Sequence, residues 1–325
     1  MPKLICLMPT YNKEFTLAQA IDSVMMQKCN FEYKLIILDD CSTDKSTQIA
    51  KDYQNKYPHK IDILRNTHNL GLLRSITNGY KLLKDAEYFC VLDADDWYTD
   101  ANKFADAVTF LDKHKNYSMY MSNIILKQDD KEEKYYNGKY KKLDFDFSDR
   151  IAGKAIFMQT SGVIYRNLYF KHSNNTKFAQ IFNLKYPESY RADGFRFEWY
   201  LQGGKAHFEN KITAVYNYDT NGIWSGMSEA EQLLHNAKMM YSCAEFFTHV
   251  RSYYLYEARQ AYTSALQKIK DNSDIIFIKN KDLILDLSLL LIQPPTTFTS
   301  KFLKFCVCLI PNKKLRRKYK KMIYG

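Results

Sequence analysis

The sequence predicts an α/β fold, a doubly wound, mostly parallel sheet with a helical extension at its carboxyl end. Three observations predict it. Over the first 110 residues, short apolar runs alternate with segments of helical periodicity, the β-α-β-α order of a parallel sheet with right-handed crossovers. Two of those runs stop at clusters of aspartates, and a third stops at Pro9-Thr10-Tyr11-Asn12. From residue 228 onward the pattern turns to long helical periodicity.

The elements follow in order. Residues 3–8 are a continuous apolar run, the mark of a strand buried on both faces. Leu17, Ile21, Val24 and Met25 then recur at helical spacing and predict a helix over 14–28. Residues 35–38 form a second strand that ends in Asp39-Asp40-Cys41-Ser42-Thr43-Asp44. The next helix is expected to be capped by Ser42 or Thr43, with Ile49 and Tyr53 inward. Residues 61–64 make a short third strand, Asn69-Leu70-Gly71 a turn, and Ile76, Tyr80 and Leu83 one face of a helix. Residues 88–92 are the fourth strand, stopped by Asp93, Asp95 and Asp96 around Ala94. Phe104, Val108 and Leu111 mark another helix. Residues 117–145 read as polar and charged, with a solvated hairpin or loop at 128–134. A strand-like pattern returns over 153–166. A helix opens near Arg191-Ala192-Asp193 and ends at Gly203-Gly204, and 212–218 read as a strand. Residues 221–226 are a loop. Residues 228–270 read as helical, with Leu233, Met240, Ala244 and Phe247 on one face, and Pro294-Pro295 breaks the chain before a basic tail.

Composition narrows the class. With 325 residues, 46% hydrophobic and 26% charged, the chain is globular and long enough for a full core. Its 26 Tyr and 20 Phe are read mainly as core packing. Seven cysteines, an odd number without any Cys-x-x-Cys, argue against a disulfide framework and for a reducing compartment. The chain opens directly on a strand, so no signal peptide is expected. No apolar stretch reaches the length of a transmembrane helix. The net charge of +11 is concentrated in residues 301–325, which hold nine Lys and Arg and no acid. Without basic-aromatic interleaving elsewhere, nucleic acid is not an expected partner.

The chemistry gathers at the loop ends. Open α/β sheets bind ligands just beyond the carboxyl ends of their strands. Carboxylates as close as Asp93, Asp95 and Asp96 repel one another and raise one another's pKa, and a hard divalent cation relieves that repulsion. Mn2+ or Mg2+ there would hold a diphosphate. The competing reading of this turn is a solvated helix cap. There is no Gly-x-Gly-x-x-Gly and no Walker-type loop, so the fold is neither an ordinary dinucleotide binder nor a P-loop enzyme.

These residues together resemble the bacterial family 2 glycosyltransferases of the GT-A fold. Pro9-Thr10-Tyr11-Asn12 is similar to the family's first-strand motif, and Asp39-Asp40-Cys41-Ser42-Thr43-Asp44 to its Asp-Asp-x-Ser-x-Asp. Asn69-Leu70-Gly71 resembles its Asn-x-Gly turn, and Asp93-Ala94-Asp95 its Asp-x-Asp metal motif. The resemblance covers residues 1 to about 110 and thins after 115. It implies an inverting, metal-dependent transferase that uses a nucleotide-sugar donor, often UDP-linked. Pro9, Thr10, Tyr11, Asn12, Asp39, Asp93 and Ala94 would contact the nucleotide, with Asp39 accepting a hydrogen bond from the base. Asp93 and Asp95 would bind the metal, and Asp193 would be the general base, with Glu198 in reserve. Trp224 would lie on the acceptor side. Two departures stand out. Ala192-Asp193 replaces the usual Glu-Asp, and Asp219-Thr220-Asn221 has no counterpart of the His that many relatives carry, which leaves a third metal ligand unidentified. Arg74, Arg166 and Arg191 are weaker phosphate candidates, and His207 and His235 are read as structural.

The expected organisation is a catalytic domain over 1–225, split into a nucleotide-sugar half (1–115) and an acceptor-side half (116–225). A helical region (226–299) and a basic amphipathic tail (300–325) follow. The expected acceptor is a glycan or a lipid-linked glycan of bacterial capsule or lipooligosaccharide. Phe302, Phe305 and Leu309 beside the basic run predict contact with an anionic membrane, hence a place on the cytoplasmic face of the inner membrane. Two other readings share these features: a catalytically silent nucleotide-sugar-binding scaffold, and a transferase acting on polyprenyl phosphate.

Overall fold

A computed structural model describes residues 1–138, 142–170, 192–219, 222 and 224–268. The tail at 300–325, the Pro294-Pro295 break and Arg191 lie outside the described residues. The chain divides into two compact units, residues 1–180 with 191–220, and residues 181–190 with 221–325.

The first unit opens with β1 (Leu4–Thr10), α1 (Leu17–Met25), β2 (Tyr33–Asp39), α2 (Ser46–Lys56), β3 (Ile61–Arg65), α3 (Leu72–Tyr80) and β4 (Tyr88–Val91). Every residue of β1 and β4 is buried, as continuous apolar runs in a two-sided parallel sheet require. Beyond the acid turn come β5 (Trp97–Tyr98), α4 (Lys103–Lys113), β6 (Tyr117–Gln128) and β7 (Lys131–Lys134). Next are β8 (Asp144–Phe145), α5 (Phe147–Ile151), β9 (Val163–Arg166), α6 (Ala192–Gly203) and β10 (Lys205–Asn217). The strand order is β3-β2-β1-β4-β9-β6-β10-β5, with β7 on β6 and β8 on β10. β3, β2, β1 and β4 are mutually parallel, and β9 runs antiparallel between β4 and β6. This is the mixed, mostly parallel α/β sheet that the alternation predicts.

Register sets the site. Thr10 stands opposite Asp39 on neighbouring strands, and Leu7 opposite Val91, so β1, β2 and β4 end together at one edge. α3 lies close over β2 because residue 79 is glycine: a Cβ there would stand 2.6 Å from Leu38 Cδ1. Behind the sheet, Phe89 packs on Tyr80, Tyr165, Phe170 and Tyr200, with ring centroids 5.1–6.0 Å apart. Full burial of one such ring contributes roughly 1.5–3 kcal/mol.

Three expectations need correction. Residues 117–128 are not a polar segment but the twelve-residue β6, with Met119, Tyr120, Met121 and Ile124 in the core. Its polar residues misled the reading because they are buried and paired: Ser122 Oγ takes a hydrogen bond from Lys103 Nζ, and Asn123 Nδ2 donates to Asn210. β10 begins at Lys205, well before 212, since its polar first half pairs with β6 across register shifts. α2 starts at Ser46 rather than after Ser42. Asp44 Oδ1 accepts the Ser46 N–H, and Ser42 Oγ is taken by the Asn12 N–H.

The second unit contains α7 (Glu229–Phe246) and α8 (Arg251–Lys268), two helices where one long pattern was read. Ser228 and Glu231 cap α7 reciprocally. Thr248–Val250 form a tight turn between the helices. Ala230, Leu234, Ala237, Ala258, Tyr262 and Ala265 form their common core, while Leu233 and Met240 pack at its margin. Among the described residues, no helix is long and apolar enough to cross a membrane.

Candidate functional site

Four segments meet beyond the carboxyl ends of β1, β2 and β4: the loop after Thr10, the loop after Asp39, the acid turn at 93–96, and the start of α6. The first two are stitched together by short polar bonds. Asn12 takes a left-handed backbone (φ 51°), its N–H donates to Ser42 Oγ at 3.1 Å, and its Oδ1 accepts the Thr43 N–H at 2.8 Å. The Lys13 N–H donates to Ser46 Oγ and the Glu14 N–H to Asp44 Oδ2. The Asn12 carboxamide is thus occupied by loop structure. Pro9 and Thr10 are buried in the end of β1, and Tyr11 is exposed.

Asp39 and Asp40 divide the work at the end of β2. Asp39 is almost fully buried. It accepts the Ser42 N–H on Oδ1 and the Thr47 hydroxyl on Oδ2, and Arg65 Nε stands 3.3 Å from Oδ2. Asp40 accepts the N–H groups of Leu70 and Gly71 and the amide of Asn66. It therefore anchors the Asn69-Leu70-Gly71 turn, where Gly71 sits at φ 78°, a conformation that favours glycine. A carboxylate at this helix start also complements the dipole of α3.

The acid turn closes on itself through the Asp96 N–H to the Asp93 carbonyl and is tied to the first loop by Thr16 Oγ1 donating to the Ala94 carbonyl at 2.8 Å. Burial and the nearby charges of Asp95 and Asp193 push the Asp93 carboxyl up to about 7, against the opposing pull of Arg196 and Lys13. Asp193 thus lies within electrostatic reach of the acid turn from the first turn of α6, its Oδ1 accepting the Gly194 N–H at 2.7 Å. Lys13 Nζ donates to Asp95 Oδ2. Burial pulls the Lys13 ammonium down, but Asp95, with smaller contributions from Asp219 and Asp93, holds its pKa above the ordinary lysine value.

Glu198 is buried, with Oε1 2.7 Å from Arg150 Nε, so this carboxylate is engaged in an ion pair. Arg166 stands opposite Tyr88, at the amino end of β4 and so at the other end of that strand from the acid turn, and donates to the carbonyls of Tyr117, Leu111 and His114. Arg74 is exposed on the first turn of α3. Trp224 belongs to the second unit, where its carbonyl accepts from Gln232. His207 pairs with Asp144 at 2.8 Å and stacks on Phe110, a packing role.

Sequence reasoning missed Lys13, Arg65 and Arg196. Lys13 directly follows the first motif, and Arg65 closes β3 beside Asp39. Arg196, one turn after Asp193, is buried, donates to the Tyr80 hydroxyl and lies over the Tyr165 ring at 5.1 Å. Burial and the charges of Asp96, Asp93 and Asp95 raise the Tyr216 hydroxyl above its ordinary pKa.

Among the described residues, no group of three or more His, Cys, Asp or Glu side chains is placed to hold a metal ion. The donor set nevertheless fits one kind of cation. Asp93 and Asp95 supply two crowded carboxylates, and Mg2+ or Mn2+ is commonly held by one or two carboxylates, with phosphate oxygens and water completing the shell.

The comparisons agree with this architecture. An uncharacterized protein of Mycobacterium tuberculosis is 26% identical over 222 residues, 66% of this chain and 58% of that one. The dTDP-rhamnosyl transferase RfbG of Shigella flexneri is 31% identical over 153 residues, covering 45% of this chain and 50% of that protein. The chain thus spans little more than half the length of these relatives. The solved structure of Staphylococcus aureus TarS residues 1–349 with UDP-GlcNAc superposes with a TM-score of 0.60 at 15% identity, over 99% of this chain and 88% of that one. This likeness establishes the GT-A fold. The sequence model of glycosyl transferase family 2 matches residues 5–174, over half of the length, and the chain belongs to that family.

Proposed function

We propose that the chain transfers a sugar, with inversion, from a UDP-linked donor to a glycan or lipid-linked acceptor in bacterial surface polysaccharide synthesis, whether capsule or lipooligosaccharide. One observation carries the reading: Asp93, Asp95 and Asp193 share one electrostatic site beyond the aligned ends of β1, β2 and β4. In this reading Asp39, held by Ser42, Thr47 and Arg65, accepts the imide N–H that uracil and thymine both carry. The dTDP donor in the name of the Shigella relative supports a pyrimidine base. Pro9, Thr10, Tyr11 and Ala94 line the nucleoside, and Asn12 shapes the loop that presents them. Asp193 takes the proton of the acceptor hydroxyl as that oxygen attacks the anomeric carbon, and a single displacement inverts the centre. When bound by Asp93 and Asp95, Mn2+ or Mg2+ would supply charge neutralisation for the leaving diphosphate.

The acceptor enters in this reading beside Asp193. The basic tail (300–325) holds the enzyme on an anionic, cytoplasmic membrane face in this reading. A chain ending before Ser300 should lose sedimentation with anionic vesicles. The donor is tested by thermal stabilisation with a panel of nucleotide sugars and Mn2+. UDP- or dTDP-linked sugars should stabilise the protein, and a response to GDP-linked sugars alone would contradict the role of Asp39.

A further inference from the structure

We propose that Lys13 is a built-in counter-cation of Asp95, which makes divalent-metal binding conditional on the nucleotide diphosphate. The inference rests on the metal role of Asp95 proposed above. Three observations carry it. The Lys13 ammonium donates directly to Asp95 Oδ2, with side chains only 33% and 23% exposed. The backbone that presents it is fixed at three successive residues, by Asn12 to Ser42 and Thr43, Lys13 to Ser46, and Glu14 to Asp44. An exposed lysine on a loose loop would swing away at little cost; this one is aimed. Around the ammonium lie the negative charges of Asp95, Asp219 and Asp93, the surroundings a divalent cation would seek.

A divalent cation and an ammonium on one carboxylate repel each other across a half-buried site. A metal arriving alone binds against that repulsion, or displaces the ammonium from Asp95 and leaves it without that partner. A metal arriving with a diphosphate brings new anionic oxygens, and the displaced ammonium has somewhere to go. Linkage then runs both ways: the diphosphate strengthens metal binding, and the metal strengthens diphosphate binding. An ordinary structural ion pair predicts otherwise, because its removal would only loosen the loop.

The test is Mn2+ binding to the full chain, read by electron paramagnetic resonance of free Mn2+, with and without UDP or dTDP. Lys13→Gln and Lys13→Met should each bind Mn2+ at least tenfold more tightly than wild type in the absence of nucleotide. Lys13→Arg, which keeps the positive charge, should stay near wild type. Both neutral variants should bind UDP or dTDP more weakly. Circular dichroism melts check that each variant is folded. Unchanged or weaker nucleotide-free Mn2+ binding in folded neutral variants, with wild type binding Mn2+ in the presence of nucleotide, overturns the counter-cation role and leaves the metal site standing. Absence of Mn2+ binding to wild type even with UDP and dTDP overturns both.

Discussion

The carboxylate of Asp96 accepts the backbone N–H of Asn217 at 3.0 Å, joining the acid turn to the last residue of β10. Asp96 is 1% exposed, and burial together with the charges of Asp93 and Asp95 raises its pKa well above the usual carboxylate range. The third acid of the cluster is thus a clamp between the acid turn and the end of β10. Asp96→Ala strips the Asn217 N–H of its acceptor, a loss of about 1–3 kcal/mol in urea unfolding. Asp96→Asn keeps a carbonyl oxygen and should recover most of that loss. Equal stability of Asp96→Ala and wild type would remove the clamp.

Asp193 belongs to the proposed proton transfer. Asp193→Asn keeps the shape and an oxygen for the Gly194 N–H but no longer takes a proton. Its turnover should fall by about 100-fold or more, with donor affinity by calorimetry nearly unchanged. Loss of donor affinity in parallel with turnover would make Asp193 a structural residue.

Glu198 should behave as a packing residue. Its carboxylate faces Arg150 inside the fold, and Glu198→Ala removes this buried ion pair, a cost of about 3 kcal/mol. The midpoint of denaturant unfolding should drop, while the pH dependence of turnover keeps its shape. A changed pH profile would return Glu198 to the chemistry.

Lys103 gives stability a specific pH dependence. It is fully buried, hydrogen-bonded to Ser122 and Thr213, and burial pulls its pKa down to about 7. An unfolded lysine titrates near about 10.4. Between these values the unfolded chain binds the extra proton, so this residue's destabilising contribution is complete below pH 7 and fades as pH rises toward 10. Lys103→Met should flatten the stability curve over that window, its advantage over wild type largest at pH 7. Parallel curves for the two proteins would show that Lys103 is not depressed.

The parallel half of the sheet was legible because its strands are buried on both faces and carry almost no polar residue, as β1 and β4 illustrate. β6 was not, because Ser118, Ser122 and Asn123 lie in the core and are satisfied there by distant partners such as Tyr200, Lys103 and Asn210. The same difference runs through the site. Asp39, Asp93 and Asp95 announce themselves as acids at the ends of apolar runs. Lys13, Arg65 and Arg196 look like ordinary surface cations in sequence, and only the fold brings them to those carboxylates. Nothing near Glu198 in sequence reveals Arg150, its ion-pair partner 48 residues away.

The most direct test of the central claim is release of nucleoside diphosphate from UDP- and dTDP-linked sugars, followed with Mn2+ and with excess chelator. Wild type should release diphosphate only with the metal present. Asp95→Ala should lose release by about 100-fold or more while melting like wild type, as expected for a group that stabilises charge developing in the transition state. Full release in excess chelator, or full activity of Asp95→Ala, would contradict a metal-assisted sugar transfer centred on Asp93 and Asp95.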